Sequence, residues 1–498
     1  MLHLLLLVMV PLLRLPGFLG GMYMPEESLL LVTGTQVADA DHLYTDAWFA
    51  GPPLAVWIFA IFSWVFGSGA LIAIRIGACL YVYLTAVYFN GLISEYKVLK
   101  RYTGLPALLL VVLLCIPWYG QEVSVSLLSL LPVMIAFQHM LRLGEGGNYA
   151  PMFLAGLWIM IATLLDYKNI LFVGGVLLTY FSLHRAQTDE LVSFAAGLIF
   201  VAGMMLTGLF LARSVGDWWE TGVLYYLDRL SLTGNIMYQP SSSVSLLTWI
   251  WTWLPVLVVA VIGVVHFRMR YFSYIVKIRA VETVMFTWLL TALIMMSLKF
   301  ARLGLSDFLL MTPPLVFYAS KVPDFALAHR LRWLLLVSWL TLPLVQYGAY
   351  IGLRFPDTGL TAAPRQVLLH GGIKLYKTTG TLYDRMQTVS DQTGIWIMDD
   401  QPAWYHWLQK KCANKYADYR IAYYRLTALP GASYQTMLSG HEADRYVFEA
   451  FFRRPPDVII DPKGNFPSLQ QRYPSLFQAY HAEKADTVTL YIRKPPAG

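Results

Sequence analysis

Charge is what this chain has least of. Only 13% of its 498 residues are Asp, Glu, Lys or Arg, while 57% are apolar; soluble domains carry roughly 25% charge. That balance excludes an ordinary soluble enzyme, and the mean hydropathy of +0.53 agrees. Cysteine is scarce too. Cys79 and Cys115 lie inside apolar runs and Cys412 stands alone, so no internal disulfide is expected. There is no nucleotide loop, no GxSxG elbow, no HExxH and no cysteine–histidine metal spacing. The histidines are scattered, and a single one such as His266 reads as structural. No repeat of 20 to 50 residues and no low-complexity tract is present. Residues 1–20 lack a basic n-region and a small-residue cleavage site, which reads as an uncleaved first helix rather than a signal peptide.

What is there instead is a series of apolar runs: 2–20, 71–94, 105–118, 126–142, 150–165, 168–184, 193–212, 247–265, 281–298, 307–320 and 333–352. Since about 20 apolar residues cross a bilayer, these predict about eleven transmembrane helices. The formal charge of +7 does not point to nucleic acid, because basic residues gather in short connections beside the apolar runs. These connections hold Lys97, Lys100 and Arg101; Arg142; Arg185; Arg268, Arg270, Lys277 and Arg279; and Lys321, Arg330 and Arg332. The positive-inside rule assigns them all to the cytoplasmic face. They share one face only if a further apolar run, Pro52–Phe66, does not cross. That run is therefore read as a helix lying in the interface, with Trp57 and Trp64 at the headgroup boundary.

Residues 21–69 contain Glu26, Glu27, Asp39, Asp41 and Asp46 but no Lys or Arg, as suits an outer loop. The predicted fold class is a polytopic α-helical membrane protein with a cytoplasmic N-terminus. Residues 1–352 form the membrane domain and 353–498 a small extracytoplasmic α/β domain. Within the latter, Ile395–Asp399, Tyr419–Leu426, Val458–Asp461 and Val488–Arg493 predict strands, and Glu442–Phe452 and Ser468–Tyr473 predict helical pieces.

Chemistry at a membrane falls to polar residues that the bilayer tolerates at a cost. By parity the outer ends of the helices carry the five acids of the first loop, Glu122, Asp166 with Lys168, Asp217, Glu220, Asp228, Arg229, Lys299 and Arg302. Acids on one wall of a cavity and cations on another would suit a phosphate-bearing lipid donor and a hydroxyl or amine acceptor. The plain alternative is that these charges anchor helix ends. Asp39 and Asp41 are then solvated loop residues, Asp217, Glu220 and Asp228 keep a loop wet, and Asp166 and Lys168 form a local ion pair.

Several stretches occur in a telling order: Arg14-Leu15-Pro16-Gly17, Pro25-Glu26-Glu27-Ser28, Leu43-Tyr44-Thr45-Asp46, Gly51-Pro52-Pro53-Leu54 and Ile74-Arg75-Ile76. Further on come Lys299-Phe300-Ala301-Arg302 and Phe308-Leu309-Leu310-Met311-Thr312-Pro313-Pro314-Leu315, and finally Pro455-Pro456-Asp457-Val458-Ile459-Ile460-Asp461. Together they resemble the GT-C glycosyltransferases, in particular the branch of protein O-mannosyltransferases and aminoarabinose transferases. The resemblance implies a GT-C-like membrane domain with juxtamembrane helices and an outer soluble domain. It implies sugar transfer from a polyprenyl-phosphate donor to a lipid, glycan or protein acceptor at the outer face of a prokaryotic inner membrane. Glu27 or Glu26 would be the catalytic base. Lys299, Arg302 and Lys168 would steady the leaving phosphate, and Asp46 and Glu122 would help bind substrate. Whether a divalent metal takes part is left open.

Three departures stand out, the first being that the family's Asp-Glu pair is here Glu26-Glu27. Ala50-Gly51 occupies the place of the family's Glu-Lys, whose lysine contacts the lipid phosphate, and Glu122 is the nearest acid to an aspartate expected after the third helix. These keep a second reading in play, a catalytically silent scaffold working with partner subunits. A transporter fits less well, because the polar groups cluster at one face and no inverted repeat is visible.

Overall fold

In a computed structural model of the protein, the described residues are 2–19, 25–39, 41–99, 104–115, 121–143, 149–184, 187–224, 226, 261, 276–298, 305–321, 386, 394–397, 455–461, 466–467, 470, 479–485 and 488–494. Among them the chain forms α1 (Leu2–Leu19), α2 (Pro25–Ala38), α3 (Pro53–Phe66), α4 (Ala70–Glu95), α5 (Leu105–Leu114), α6 (Val125–Leu141), α7 (Ala150–Leu165), α8 (Leu171–Leu183), α9 (Thr188–Leu211), α10 (Val276–Leu298) and α11 (Thr312–Ser320). Strands β1 (Ile395–Ile397), β2 (Val458–Asp461), β3 (Tyr480–Ala485) and β4 (Val488–Arg493) follow.

Proline sets where many of these helices begin. It has no N–H to leave unpaired in a first turn, and its φ is already helical. α3, α5, α7 and α11 each carry proline in their first two positions. α6 uses a hydroxyl instead: Ser124, extended at ψ 157°, accepts the Leu127 N–H at 3.2 Å. α3 stops at Gly67, whose φ of +52° suits a residue without a Cβ. The run expected at Pro52–Phe66 forms the 14-residue α3, which a 3-10 turn at Gly67–Gly69 joins to α4.

Three stretches of described residues are long and apolar enough to cross a membrane: Pro53–Glu95, Thr188–Leu211 and Ile278–Ser297. The other apolar helices searched run to 10–17 residues, a rise of roughly 15–25 Å against a hydrocarbon core of about 30 Å. Of the eleven runs expected to cross, 333–352 lies outside the described residues, as does 247–265 apart from Val261.

The chain divides into two compact units. Unit 1 comprises Met1–Phe18, Ile74–Phe210 and Met237–Gly359. Its core gathers around Trp288 on α10, which is fully buried. The indole stacks on Phe137 of α6 with centroids 5.1 Å apart and meets Phe172 of α8 edge-on at 6.3 Å. Its Nε1 donates to the Leu310 carbonyl at 2.8 Å, in the 3-10 turn before α11. Hydroxyls join α8 to α10, where Thr179 and Thr287 lie 2.5 Å apart oxygen to oxygen. α7 and α9 meet backbone to backbone. A Cβ on Gly156 would collide with the Phe194 carbonyl, and one on Gly197 with the Phe153 carbonyl. Small residues allow such close approach between apolar helices.

Pro132 lies inside α6. Lacking an N–H, it leaves the carbonyl four residues earlier, that of Leu128, without its helical donor. Tyr81 of α4 makes good the loss: its hydroxyl donates to Leu128 O and accepts the Leu131 N–H at 3.1 Å. An apolar helix tolerates an internal proline where a neighbour satisfies the freed group in this way.

Unit 2 comprises Leu19–Ala73, Leu211–Ile236 and Leu360–Gly498. Its sheet has the order β1-β2-β4-β3; β1 and β2 are parallel and the other pairs antiparallel. β1 and β2 are buried at every position, as strands covered on both faces are. Expected strands at 395–399, 458–461 and 488–493 are met at Ile395–Ile397, Val458–Asp461 and Val488–Arg493, with 398–399 outside the described residues. β3 was not anticipated. The strand expected at Tyr419–Leu426 and the helical pieces at Glu442–Phe452 and Ser468–Tyr473, apart from Gln470, lie outside the described residues.

Two outcomes follow from these contacts. Tyr81→Phe strands Leu128 O and should lower the thermal stability of the detergent-purified protein by about 1–3 kcal/mol, the usual cost of a buried unsatisfied group. Pro132→Ala in the same chain should recover most of it by restoring a helical N–H; no recovery would show that Tyr81 acts otherwise. Tyr480 donates to the Pro456 carbonyl at 2.6 Å. Burial pushes its phenol up to about 12, Arg493 opposing and Asp457 adding to the rise. The fold therefore holds this proton more tightly than the unfolded chain, whose tyrosines titrate near 10. The stability this contributes is complete below about pH 10 and is lost as pH rises through 12. Unfolding midpoints measured across that window should fall less steeply in Tyr480→Phe than in wild type.

Candidate functional site

The candidate acids begin on α2, in unit 2. Consecutive residues on a helix point about 100° apart, so Glu26 and Glu27 cannot face the same way. Glu26 is half-buried in the first turn, whereas Glu27 is 1% exposed. Beside Glu27, Ser28 is equally buried, and its Oγ finds no hydrogen-bond partner among the described residues; the same holds for Thr33 Oγ1 on the same helix. α2 packs tightly on α3. A Cβ at Gly34 would come within 2.9 Å of the Phe59 carbonyl carbon, and Thr35 donates to Ser63 Oγ at 3.2 Å.

The loop after α2 is tied by its own side chains. Asp46 Oδ2 accepts the His42 N–H at 3.1 Å, so this acid shapes its own turn. Tyr44 has φ +74° and is fully buried. A bulky residue in left-handed conformation is a strained position. Three contacts hold it. Its N–H donates to the Ala47 carbonyl at 2.7 Å, its hydroxyl donates to the Gly51 carbonyl at 2.7 Å, and Gly222 packs against its ring. At Gly51, where the resemblance expects lysine, an added Cβ would lie 2.7 Å from the buried Phe49 ring. Phe49 occupies the space the missing side chain would enter.

The segment following α9 completes this part of unit 2. A short helical turn, Val215–Asp217, runs into π-helical winding over Trp218–Leu224. Thr45 Oγ1 donates to Asp217 Oδ2 at 2.9 Å, joining residues 172 positions apart in the chain. Asp217 thus does more than keep a loop wet. Asp228 and Arg229 lie outside the described residues.

Unit 1 holds Glu122 and Lys168. Lys168 Nζ is 2.8 Å from Asp166 Oδ2, with side-chain exposures of 12% and 2%. Asp166 also accepts the Lys168 N–H at 3.3 Å and the Ser126 hydroxyl at 3.4 Å. The pair therefore sits against the start of α6, four residues beyond the half-buried Glu122. Sequence reasoning passed over the ties around Gln121. Its Nε2 donates to Leu13 O at 2.7 Å and Cys115 O at 3.1 Å, and its Oε1 accepts the Gly17 N–H at 3.0 Å. Arg14, 1% exposed, donates to Gln121 O at 3.2 Å, and Arg75 donates to Gly17 O. Arginine inside an apolar run was the visible signal. The stretches around Arg14 and Arg75, far apart in the sequence, meet here.

Of the expected site residues, Glu26, Glu27 and Asp46 thus lie in unit 2, Glu122 and Lys168 lie in unit 1, and Lys299 and Arg302 are outside the described residues. Among the described residues no three His, Cys, Asp or Glu side chains converge as a metal-ligand set.

The ion pair can be told apart from a substrate contact. Lys168→Met leaves the Asp166 carboxylate buried without its cation, and should cost about 3–5 kcal/mol in thermal stability. Adding Asp166→Asn should return most of that. If Lys168→Met unfolds at the wild-type temperature, Asp166 does not need its ammonium and the ion-pair reading fails.

No family model matches the chain, and no curated protein matches it. Among solved structures it is similar to the crystal structure of the Archaeoglobus fulgidus oligosaccharyltransferase in the apo form, with 12% identity, coverage of 96% of this chain and 73% of that one, and a TM-score of 0.47.

Proposed function

We propose that this protein is a GT-C-type glycosyltransferase. It moves a sugar from a polyprenyl-phosphate donor to a lipid, glycan or protein acceptor at the outer face of a prokaryotic inner membrane. The observation that carries this is Glu27. A carboxylate buried to 1% exposure is rare in a chain this poor in charge, and an ionisable residue enclosed among apolar helices is a functional candidate. It stands in the Pro25-Glu26-Glu27-Ser28 stretch that resembles the family's acid pair.

In the reaction, Glu27 accepts the proton of the acceptor hydroxyl or amine as that atom attacks the anomeric carbon. The bond from that carbon to the phosphate oxygen breaks, and the phosphate departs with the electron pair. The sugar is inverted. Lys299 and Arg302 would stabilise the leaving phosphate by charge-assisted hydrogen bonds, with Lys168 added if its ammonium leaves Asp166. Asp46 and Glu122 would orient substrate. The proposed architecture is a membrane domain over 1–352, an N-terminus in the cytoplasm and an outer domain over 353–498.

One observation favours a second reading. Phe49 fills the space beside Gly51 where the resemblance expects a phosphate-binding lysine. This suits a catalytically silent scaffold that acts through partner subunits.

Glu27→Gln should leave folding in detergent intact and lower sugar transfer by roughly 10²–10⁴-fold, the scale of a lost general base. Full activity in the double Glu26→Gln, Glu27→Gln variant would place the base elsewhere. Purified wild type should also gain more thermal stability from polyprenyl phosphate than from ordinary anionic phospholipid. Equal stabilisation by the two would replace the enzyme by the scaffold.

A further inference from the structure

The Val215–Leu224 segment carries features that the glycosyl-transfer step does not use. Thr221 is 1% exposed, and its Oγ1 has no hydrogen-bond partner among the described residues. Buried hydroxyls are nearly always paired, by protein, water or ligand. Thr221 lies four residues after Asp217, close to one helical turn, so the two share a side of the segment. Asp217 is half-buried and receives one hydroxyl already, from Thr45 at 2.9 Å. Trp218, also half-buried, lies one residue on from Asp217, and its Cδ1 is 2.9 Å from where a Cβ on Gly222 would be. π-helical winding is rare and recurs at functional sites. Here it adjoins the left-handed Tyr44, whose ring and whose partner Gly51 both touch Gly222.

The chemistry of these groups selects among ligands. A phosphate would be repelled by Asp217. A metal ion would need more donors than converge here among the described residues. A hydroxylated ring fits: one hydroxyl donates to the carboxylate, a second exchanges a hydrogen bond with Thr221, and a C–H face lies on the indole. We propose that Asp217 and Thr221 form a binding site for a sugar ring, with the Trp218 indole on the adjoining side of the segment. That this sugar is a substrate rests on the glycosyltransferase reading; the binding itself does not.

The test is saturation-transfer NMR on the full-length protein in lipid nanodiscs, with the methyl glycosides of mannose, glucose, galactose and N-acetylglucosamine as probes. At least one glycoside should receive saturation from wild type. Asp217→Asn, which replaces a charged acceptor with a neutral one, and Thr221→Val, which removes the hydroxyl, should each weaken it by about ten-fold. Thr221→Ser keeps the hydroxyl and should bind like wild type, so loss in Thr221→Val together with retention in Thr221→Ser reports the hydrogen bond rather than misfolding. Absence of saturation from all four probes in wild type would overturn the site, as would unchanged binding in both weakened variants. Polyprenyl-phosphate stabilisation is read separately. Glycoside binding without it keeps the sugar site and removes the transferase, while stabilisation without glycoside binding does the reverse.

Discussion

A polar group enclosed by apolar helices must find its partner inside the protein, because no water is there to supply one. The described parts of unit 1 are arranged by that constraint. Pro132 frees the Leu128 carbonyl, and a tyrosine hydroxyl from α4 takes it. Asp166 is buried, and a lysine two residues on, a serine from α6 and a backbone N–H surround it. Arg14 and Arg75 reach backbone carbonyls at the end of α1 and beside Gln121, and the Gln121 amide binds both strands of chain at once. Each solution joins parts of the chain distant in sequence. The polar minority therefore fixes which apolar helices are neighbours, a choice that hydrophobic burial, being non-directional, leaves open.

How far the fold was legible follows from the same division. Apolar runs mark helices wherever they are bounded, and proline or serine marks the start. The run expected at 150–165 is α7 to the residue, and Pro52–Phe66 is α3 within one position. Where the boundary is set by a tertiary contact, sequence reasoning slipped. The run from 168 starts with a 3-10 turn, Tyr167–Ile170, because Asp166 accepts the N–H of Lys168 there, and α8 proper begins at Leu171. β3 escaped notice because Tyr-His-Ala-Glu-Lys-Ala lacks β-branched residues. It is a strand because β4 pairs with it along its length, which shows how far pairing overrides intrinsic preference.

The candidate site was legible in residue type and not in geometry. Two adjacent acids opening α2 were visible as chemistry, and the helical period alone said that they diverge. That Glu27 is the enclosed one depends on what α2 packs against, which no local pattern reports. Tyr44 and Asp46 stood in a stretch singled out for its resemblance. Their observed work is local: one holds a left-handed turn and the other closes it. Asp217 read as a loop residue because its partner, Thr45, is 172 positions away. Gly51 shows the opposite case. The missing lysine was plain in the sequence, while the Phe49 ring beside it was not.

Tyr44 also explains why two glycines lie so near one another. A left-handed tyrosine costs of order 1–3 kcal/mol, and a buried hydrogen bond returns about 1 kcal/mol. The hydroxyl bond to Gly51 O and the backbone bond to Ala47 O are therefore together comparable with the strain, and packing must hold the remainder. That packing requires Gly222, since a Cβ there would stand 3.0 Å from the Tyr44 ring and 2.9 Å from Trp218. The turn after α9 and the loop after α2 are thus fitted through a contact neither could make with a larger residue. The Thr45–Asp217 hydrogen bond lies at the same junction. The left-handed Tyr44 and the side-chain-free Gly222 are thus two sides of a single close approach, which the hydrogen bond to Asp217 helps hold.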